Sequence, residues 1–543
     1  MLINFASNQS KLPNFLSSQK LIILKINKII LRILLIIVVF SLLPSSVFSD
    51  FTVPLDDNVY EYLQSMEILG KIPSIAVYPK YYNYIENHLK STKNDQSIGK
   101  SYQTLNKKYL SFMKLYENNG LNSEIIPLKD LPWKILKPNS IAESRSSFLS
   151  YKKDDLNLFS SFILGLDYDI KNDDDQQHRT YQYYGLEFGG NFQKNLGLYT
   201  RYRKGNYTGD YNFIHEDPYI HQSGGMDRKV SVYSEFDFKN PVLNLSIGYS
   251  NFEIGKNITS SIILNGMTNP FGYFKYYKKI GSFNFLAFNS QLTTDSVTVS
   301  SEFPVKSFSL QTLYYQNDRL LIGVGQSVIY GNKTIDLAYW TPLMVFKLID
   351  FKNHNRDNEF VFAYSTWRPV DGLMHYFNFF MDDLMKSQLL TKDWLTNFAL
   401  QTGLMYQLSS LPLRLSAECT VVGPATYAHR DYELVYSQDN MLLGYLYGSN
   451  LLNLTFQLNY MNPYFIAEIQ YENMRQGSNG SDPFSCDTDP AEFLSGELSR
   501  AQRLSAKLSL YLNQYLRAKL QYMKIEKKNK HIDYFFTALE FQF

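Results

Sequence analysis

The 543-residue chain contains only two cysteines, Cys419 and Cys486, and eight histidines. Two thiols cannot build a disulfide framework, and their sequence positions leave open one bridge in an oxidising compartment or none. The histidines are scattered without a ligand spacing such as His-x-x-x-His, so no metal centre or other cofactor is expected. His354, His375 and His429 have no accompanying Gly-x-Ser-x-Gly element, which leaves a hydrolase without its nucleophile. An excess of charge of one sign is also missing. Fifty-three Lys and Arg against 51 Asp and Glu give a net +2, which offers nucleic acid nothing to hold. Beyond the first 50 residues there is no long apolar run, and mean hydropathy is −0.26. A helical membrane protein is therefore excluded, whereas a transmembrane β-barrel is allowed, because only alternate residues of its strands face lipid.

What the chain has in abundance is aromatic: 43 Tyr and 38 Phe, with Trp bringing the aromatic share to 16%. Barrels gather such residues in girdles at the two membrane interfaces. The last strand is the most telling segment. Phe535, Thr537, Leu539, Phe541 and Phe543 fall on one face at period 2. An apolar stripe closing in an aromatic residue resembles the C-terminal assembly signal of outer-membrane barrels, which implies the barrel-assembly machinery and outer-membrane lipid as partners. At the other end, Lys20, Lys25, Lys28 and Arg32 precede the uncharged run 33–43, then Pro44 and Val47-Phe48-Ser49. This pattern predicts a secretory signal peptide over 1–49, since the run is shorter than the ~20 residues of a spanning helix.

The residues that follow divide into two kinds. Over 50–138 the apolar period is helical. Val59, Leu63, Met66 and Leu69 share a face, with Asp57 or Asn58 as cap and Gly70 as stop. A second short helix is expected over 81–89, and Leu105, Tyr109, Phe112 and Tyr116 mark a third. Over 139–543 the period becomes 2. Leu454, Phe456, Leu458 and Tyr460 alternate with Asn453, Thr455, Gln457 and Asn459; Leu504 to Leu510 and Leu516 to Tyr522 behave alike. One face suits lipid and the other a polar lumen, although a soluble sandwich also alternates. Short turns near 513–514, 462–463, 409–412 and 368–372 interleave with long connections near 341–357, 381–396, 421–449 and 473–500. About 400 residues at roughly 22 per strand and connection give ~16–18 strands. The expected fold is thus mainly β: a large antiparallel transmembrane barrel of about 18 strands, behind a small periplasmic helical bundle. The long loops would face the cell exterior.

Several separated motifs add a resemblance. Val53-Pro54-Leu55-Asp56-Asp57-Asn58-Val59-Tyr60 with Leu69-Gly70-Lys71-Ile72-Pro73 is similar to the opening of the capsule assembly protein Wzi family. The run 251–277, NFEIGKNITSSIILNGMTNPFGYFKYY, resembles a family segment, although Gly255-Lys256-Asn257 stands where the family has a Trp-Gly-Pro-Gly-like core. The run 319–343, RLLIGVGQSVIYGNKTIDLAYWTPL, resembles it most, followed by Trp367-Arg368-Pro369-Val370-Asp371-Gly372 and Met381-Asp382-Asp383. The resemblance implies an 18-stranded outer-membrane barrel that attaches or organises surface polysaccharide as a lectin and not as an enzyme.

Candidate glycan contacts are Asp336, Tyr339, Trp340 and Arg356. Aromatic faces pack on pyranose rings, carboxylates accept hydroxyl hydrogen bonds, and a cation meets an acidic polymer. Membership of Tyr339 and Trp340 in the outer aromatic girdle is the competing reading. Asp382 and Asp383 are adjacent on a strand and point to opposite faces, a poor acid–base couple. The functional expectation is a non-enzymatic protein that binds surface polysaccharide, capsular or exopolysaccharide. The rival from another class is a porin or specific uptake channel, with which lumenal Lys507, Arg517 and Lys519 are compatible.

Overall fold

The computed structural model describes residues 53, 57–80, 82–93, 95, 97–113, 120–122, 149–153, 156–173, 176–192, 196–210, 221–222, 228–239, 243–293, 305–331, 336–352, 357–382, 397–485, 491–511, 516–527 and 530–542. The expected signal peptide, Arg356, Asp383, Cys486 and Phe543 lie outside these residues.

Alternation of small or polar with apolar residues produces eighteen long strands. They are β1 (Leu156–Asn172), β2 (Gln176–Phe192), β3 (Leu196–Gly209), β4 (Arg228–Phe238), β5 (Asn244–Ser250), β6 (Phe271–Ile280), β7 (Phe283–Leu292), β8 (Lys306–Gln316) and β9 (Leu320–Gly331). The ring continues with β10 (Asn358–Val370), β11 (Leu373–Asp382), β12 (Phe398–Gln407), β13 (Leu413–Val422), β14 (Leu451–Met461), β15 (Phe465–Gln476), β16 (Ser499–Tyr511), β17 (Leu516–Lys527) and β18 (Lys530–Gln542). Each pairs antiparallel with its neighbours, and β18 closes on β1 with Leu539 opposite Leu166 and Phe541 opposite Leu164. Closure removes the sheet edges that an open sheet would expose. Leu539 and Phe535 point outward, as their stripe predicts, alongside Leu164, Leu186, Ile247, Val324, Phe456 and Leu504. Exposure of this many large apolar side chains in one belt matches lipid, not water.

Short turns gather at one end of the barrel, and the long connections at the other. The turn end is covered by three helices, α1 (Val59–Ile68), α2 (Tyr82–Thr92) and α3 (Lys100–Met113). Asp57, rather than Asn58, caps α1: its carboxylate accepts from the Val59 N–H at 2.9 Å, while the Asn58 amide donates to the Tyr511 hydroxyl. Gly70 stops the helix at φ +77°, where a Cβ would also collide with Asp371. The helices bind the barrel through backbone groups of its short turns. Ile68 O accepts from Gly372 N, Tyr102 Oη donates to Leu408 O and Leu411 O, and Lys108 Nζ donates to Pro463 O at 2.6 Å. Pro369 has no N–H to give the sheet, and the β10–β11 register slips between Trp367 and Val370. Arg368, beside that slip, is buried and donates to Glu67 O at 2.6 Å and to Asp318 O.

Candidate functional site

The connections at the loop end do not all stay outside. After Ser250 the chain leaves the wall and re-enters it at Phe271, and the residues between are almost entirely buried. They cross the lumen. On one side Glu253 and Ile254 pair with Val77 and Tyr78 from the helical segment. On the other, Glu418 of β13 accepts from Ile258 N at 2.8 Å, and the Thr259 and Thr455 hydroxyls meet at 3.0 Å. Thr455 lies on β14, eight strands around an 18-stranded ring from β6, so the segment reaches nearly to the far wall. Asn378 and Gln401 donate to its Lys256 and Ser260 carbonyls. Lys256 itself is buried and paired with buried Glu67 at 2.7 Å, and donates also to Tyr78 Oη. Such a pair holds together because breaking it would strand a charge away from water.

A second connection, 423–450, folds down onto the first. Tyr427 Oη donates to Ile262 O at 2.9 Å and Tyr436 Oη to Ile263 O at 2.8 Å. The Asn265 side chain donates back to Leu442 O and Gly444 O. Tyr427, Tyr436 and Tyr445 are fully buried, and the first two pack among Phe308, Phe360 and Phe380 of the wall. Asp382 anchors the connection by accepting from Tyr427 N at 2.9 Å. Sequence reading assigns 421–449 to an outward loop; its tyrosines instead complete a core. Their spacing of nine residues is the signal that the sequence offers.

Of the residues expected to contact glycan, the described ones, Asp336, Tyr339 and Trp340, lie elsewhere. Asp336 caps α4 (Leu337–Trp340), accepting from Ala338 N at 3.0 Å. With α5 (Phe346–Lys352), this helix folds over the outer surface of the wall. Tyr339 is 1% exposed there, packed on Tyr330 and Phe346, and its hydroxyl donates to Asp357 at 2.6 Å. Trp340 stacks on outward-facing Phe274 at 5.6 Å and 8°, and its carbonyl accepts from Tyr276 Oη. Both rings are therefore occupied in fastening this flap. Its exposed residues, Leu337, Leu343, Val345, Leu348 and Phe351, carry on the apolar belt. The structure brings Asp336, Tyr339 and Trp340 into one segment but does not offer Tyr339 to a ligand.

Partly exposed aromatic and polar groups at the loop end come from other residues. Tyr432 and Phe484 approach at 6.1 Å, Phe493 is 41% exposed, and His429, Asp431 and Asp482 lie on the same connections. Apart from His429, these residues carry no signal in the sequence, because they sit outside any strand pattern.

A closed antiparallel barrel with an outward apolar belt, an inward-folded lumen filling and a helical cover defines the class: a membrane-type β-barrel whose own chain crosses its lumen. The same architecture is known. The chain is similar to Wzi of Escherichia coli, described as an outer membrane protein involved in group 1 capsule assembly and a carbohydrate binding β-barrel. The TM-score is 0.59 at 12% identity, over 90% of this chain and 98% of that one. The resemblance read from the sequence is thus met at the level of the fold. A BenF-like porin from Pseudomonas fluorescens Pf-5 aligns over 71% of this chain and 98% of its own, at 10% identity and a TM-score of 0.45. The OpdK protein of Pseudomonas aeruginosa, solved with vanillate, aligns over the same 71% and 98% of its own at 12% and 0.43. No protein-family model and no curated protein sequence matches the chain.

Proposed function

We propose that this chain is a non-enzymatic outer-membrane protein that binds or organises surface polysaccharide at the loop end of its barrel. In this reading the helices lie in the periplasm and the long connections face outward. Outer-membrane lipid surrounds the belt, and the barrel-assembly machinery inserts the strands. The observation that carries it is the inward folding of 251–270 and 423–450. Loops that would otherwise leave a pore are used to build a fixed floor at the loop end, and the connections there carry Tyr432, Phe484, Phe493, His429, Asp431 and Asp482. Rings of this kind cover the apolar faces of sugars, and the carboxylates take hydroxyl hydrogen bonds. Repeated weak contacts along a polymer give avidity beyond any one site. Likeness of fold to a carbohydrate-binding barrel supports the same reading.

The test is binding of the purified, detergent-solubilised protein to the surface polysaccharide of its host. Saturable binding that Tyr432→Ala with Phe493→Ala weakens at least tenfold is the expected result. No binding by a folded barrel would contradict it. A second reading, a porin or uptake channel, has one observation in its favour: Lys507 and Lys519 face the lumen and are exposed. Stable open-channel steps in a planar bilayer would favour that reading over the first.

A further inference from the structure

Between the helical cover and the inner wall of β5–β8, at the turn end, lies a cavity of about 650 Å³. Its size is in the range of ~300–1,000 Å³ typical of ligand sites. Its lining is one-sided in charge. Lys239, Lys275 and Lys279 come from the wall, Lys80 and His88 from the helical segment, and Asp318 is the only carboxylate among the lining residues. Lys275 is answered from behind by Glu235 at 2.9 Å. For Lys80, among the described residues, no carboxylate lies within ion-pair distance. Its ammonium sits over the Tyr84 ring at 5.3 Å, and Tyr84 in turn contacts the His88 ring at 4.4 Å. Lys80, Tyr84 and His88 are spaced four apart, so they form one row along α2 and its approach. The Tyr84 hydroxyl is buried and, among the described residues, has no hydrogen-bond partner. A buried hydroxyl left so is unfavourable unless something enters to pair with it.

We infer that this cavity binds a sugar carrying an anionic group, carboxylate or phosphate, with Lys80 and Lys279 holding the anion and Tyr84 a sugar hydroxyl. Tyr277, Tyr314, Asn284 and Gln316 complete the lining with the aromatic and amide groups that sugars meet in such sites. The chemistry of the empty pocket agrees. Enclosure, reinforced by Lys256, Lys275 and Lys279 and opposed by Glu67, lowers the Lys80 ammonium to about 8. Enclosure and then Lys80 also lower the His88 imidazolium. Enclosure is the main cause of both shifts, and a bound anion would oppose them. The inference rests on the glycan reading for the sugar part of the ligand. The demand for an anion stands without it.

The experiment is calorimetric titration of the full-length protein in detergent with glucuronate, glucose 1-phosphate and neutral glucose. The two acids should bind at least tenfold more tightly than glucose. Lys80→Gln and the exposed-site variant Lys279→Gln should each weaken the acids fivefold or more, with heat-modifiable gel mobility unchanged. Tyr84→Phe should weaken all three sugars together. A preference for glucuronate over glucose 1-phosphate would assign the site to a uronic acid, and the reverse to a sugar phosphate. Glucose binding as tightly as the acids, or acid affinity within twofold of wild type in both lysine variants, would overturn the inference. Retained polysaccharide binding at the loop end in those variants would show that the loop-end reading stands or falls separately.

Discussion

The two sides of the barrel wear the same coat and have different linings. From β7 to β11 the inward residues include Phe288, Phe308, Leu310, Phe360, Phe362 and Phe380, all buried. From β15 through β18 to β3 they include Arg503, Lys507, Arg517, Glu540 and Arg203, laced by ion pairs. Outside, both sides present leucine, isoleucine, valine and aromatic residues. What differs is the material each lining faces. The first meets the chain's own inward segments, with Tyr427 and Tyr436 among its phenylalanines, and so behaves as a protein core. In the second, inward charges such as Glu540, held by Arg203 at 2.7 Å and Arg517 at 3.9 Å, form a network partly open to solvent. The lining of a barrel therefore reports what fills it, and here the wall and its filling are one folding unit on one side only.

The comparison can be broken from the packed side first. Lys256→Met should remove the cation from buried Glu67 and cost about 3–5 kcal/mol. The expected readout is a lower unfolding temperature and new protease sites around α1. Lys256→Met combined with Glu67→Leu should recover part of the loss. Tyr427→Phe keeps the ring and deletes only the donor to Ile262 O, so the expected cost is smaller, about 1–3 kcal/mol by denaturant titration.

At the turn end, the depressed Lys80 predicts a slope with pH. The unfolded chain binds a proton there below its ordinary value of 10.5, whereas the native chain takes it up only near about 8. Stability should therefore rise between pH 8 and 10.5, and fall as pH drops through that window. Lys80→Met should flatten the slope, with Lys275, Lys279, Lys239 and His88 still lining the same space. The smallest effect belongs to the charged side. Lys507→Gln breaks a pair with Glu468 at 3.2 Å, but the lysine is 47% exposed, and solvent screening limits the loss to about 1 kcal/mol or less. An equal loss for Lys256→Met and Lys507→Gln would erase the distinction between the two sides.

That distinction also explains how far the sequence could be read. Strands of the charged side alternate cleanly, as Leu504 to Leu510 against Arg503 to Ser509 shows, because each has one wet and one lipid face. Period 2 is then unmistakable. On the packed side, Phe360-Val361-Phe362-Ala363-Tyr364 is apolar on both faces, and alternation fades as it does in any strand buried twice. The inward segments were the least legible. Residues 251–270 show no strand period, and their Asn, Ser and Thr side chains are buried hydrogen-bonding groups whose partners on the wall and on 423–450 are brought close only by closure of the ring. Local sequence carries the period of a strand and not the identity of its far neighbour. For the same reason Tyr339 and Trp340 look like ligand-facing aromatics until Tyr330 and Phe274 are seen beneath them.

The most direct test of the account is hydrogen–deuterium exchange of the intact barrel in detergent, followed over 251–270 and 423–450. Amides there should exchange as slowly as those of β8 and β10 and be released together with them on unfolding. Exchange within seconds, at the rate of open loops, would mean that the lumen is not filled by the chain, and the division of the barrel into a packed and a charged side would fail.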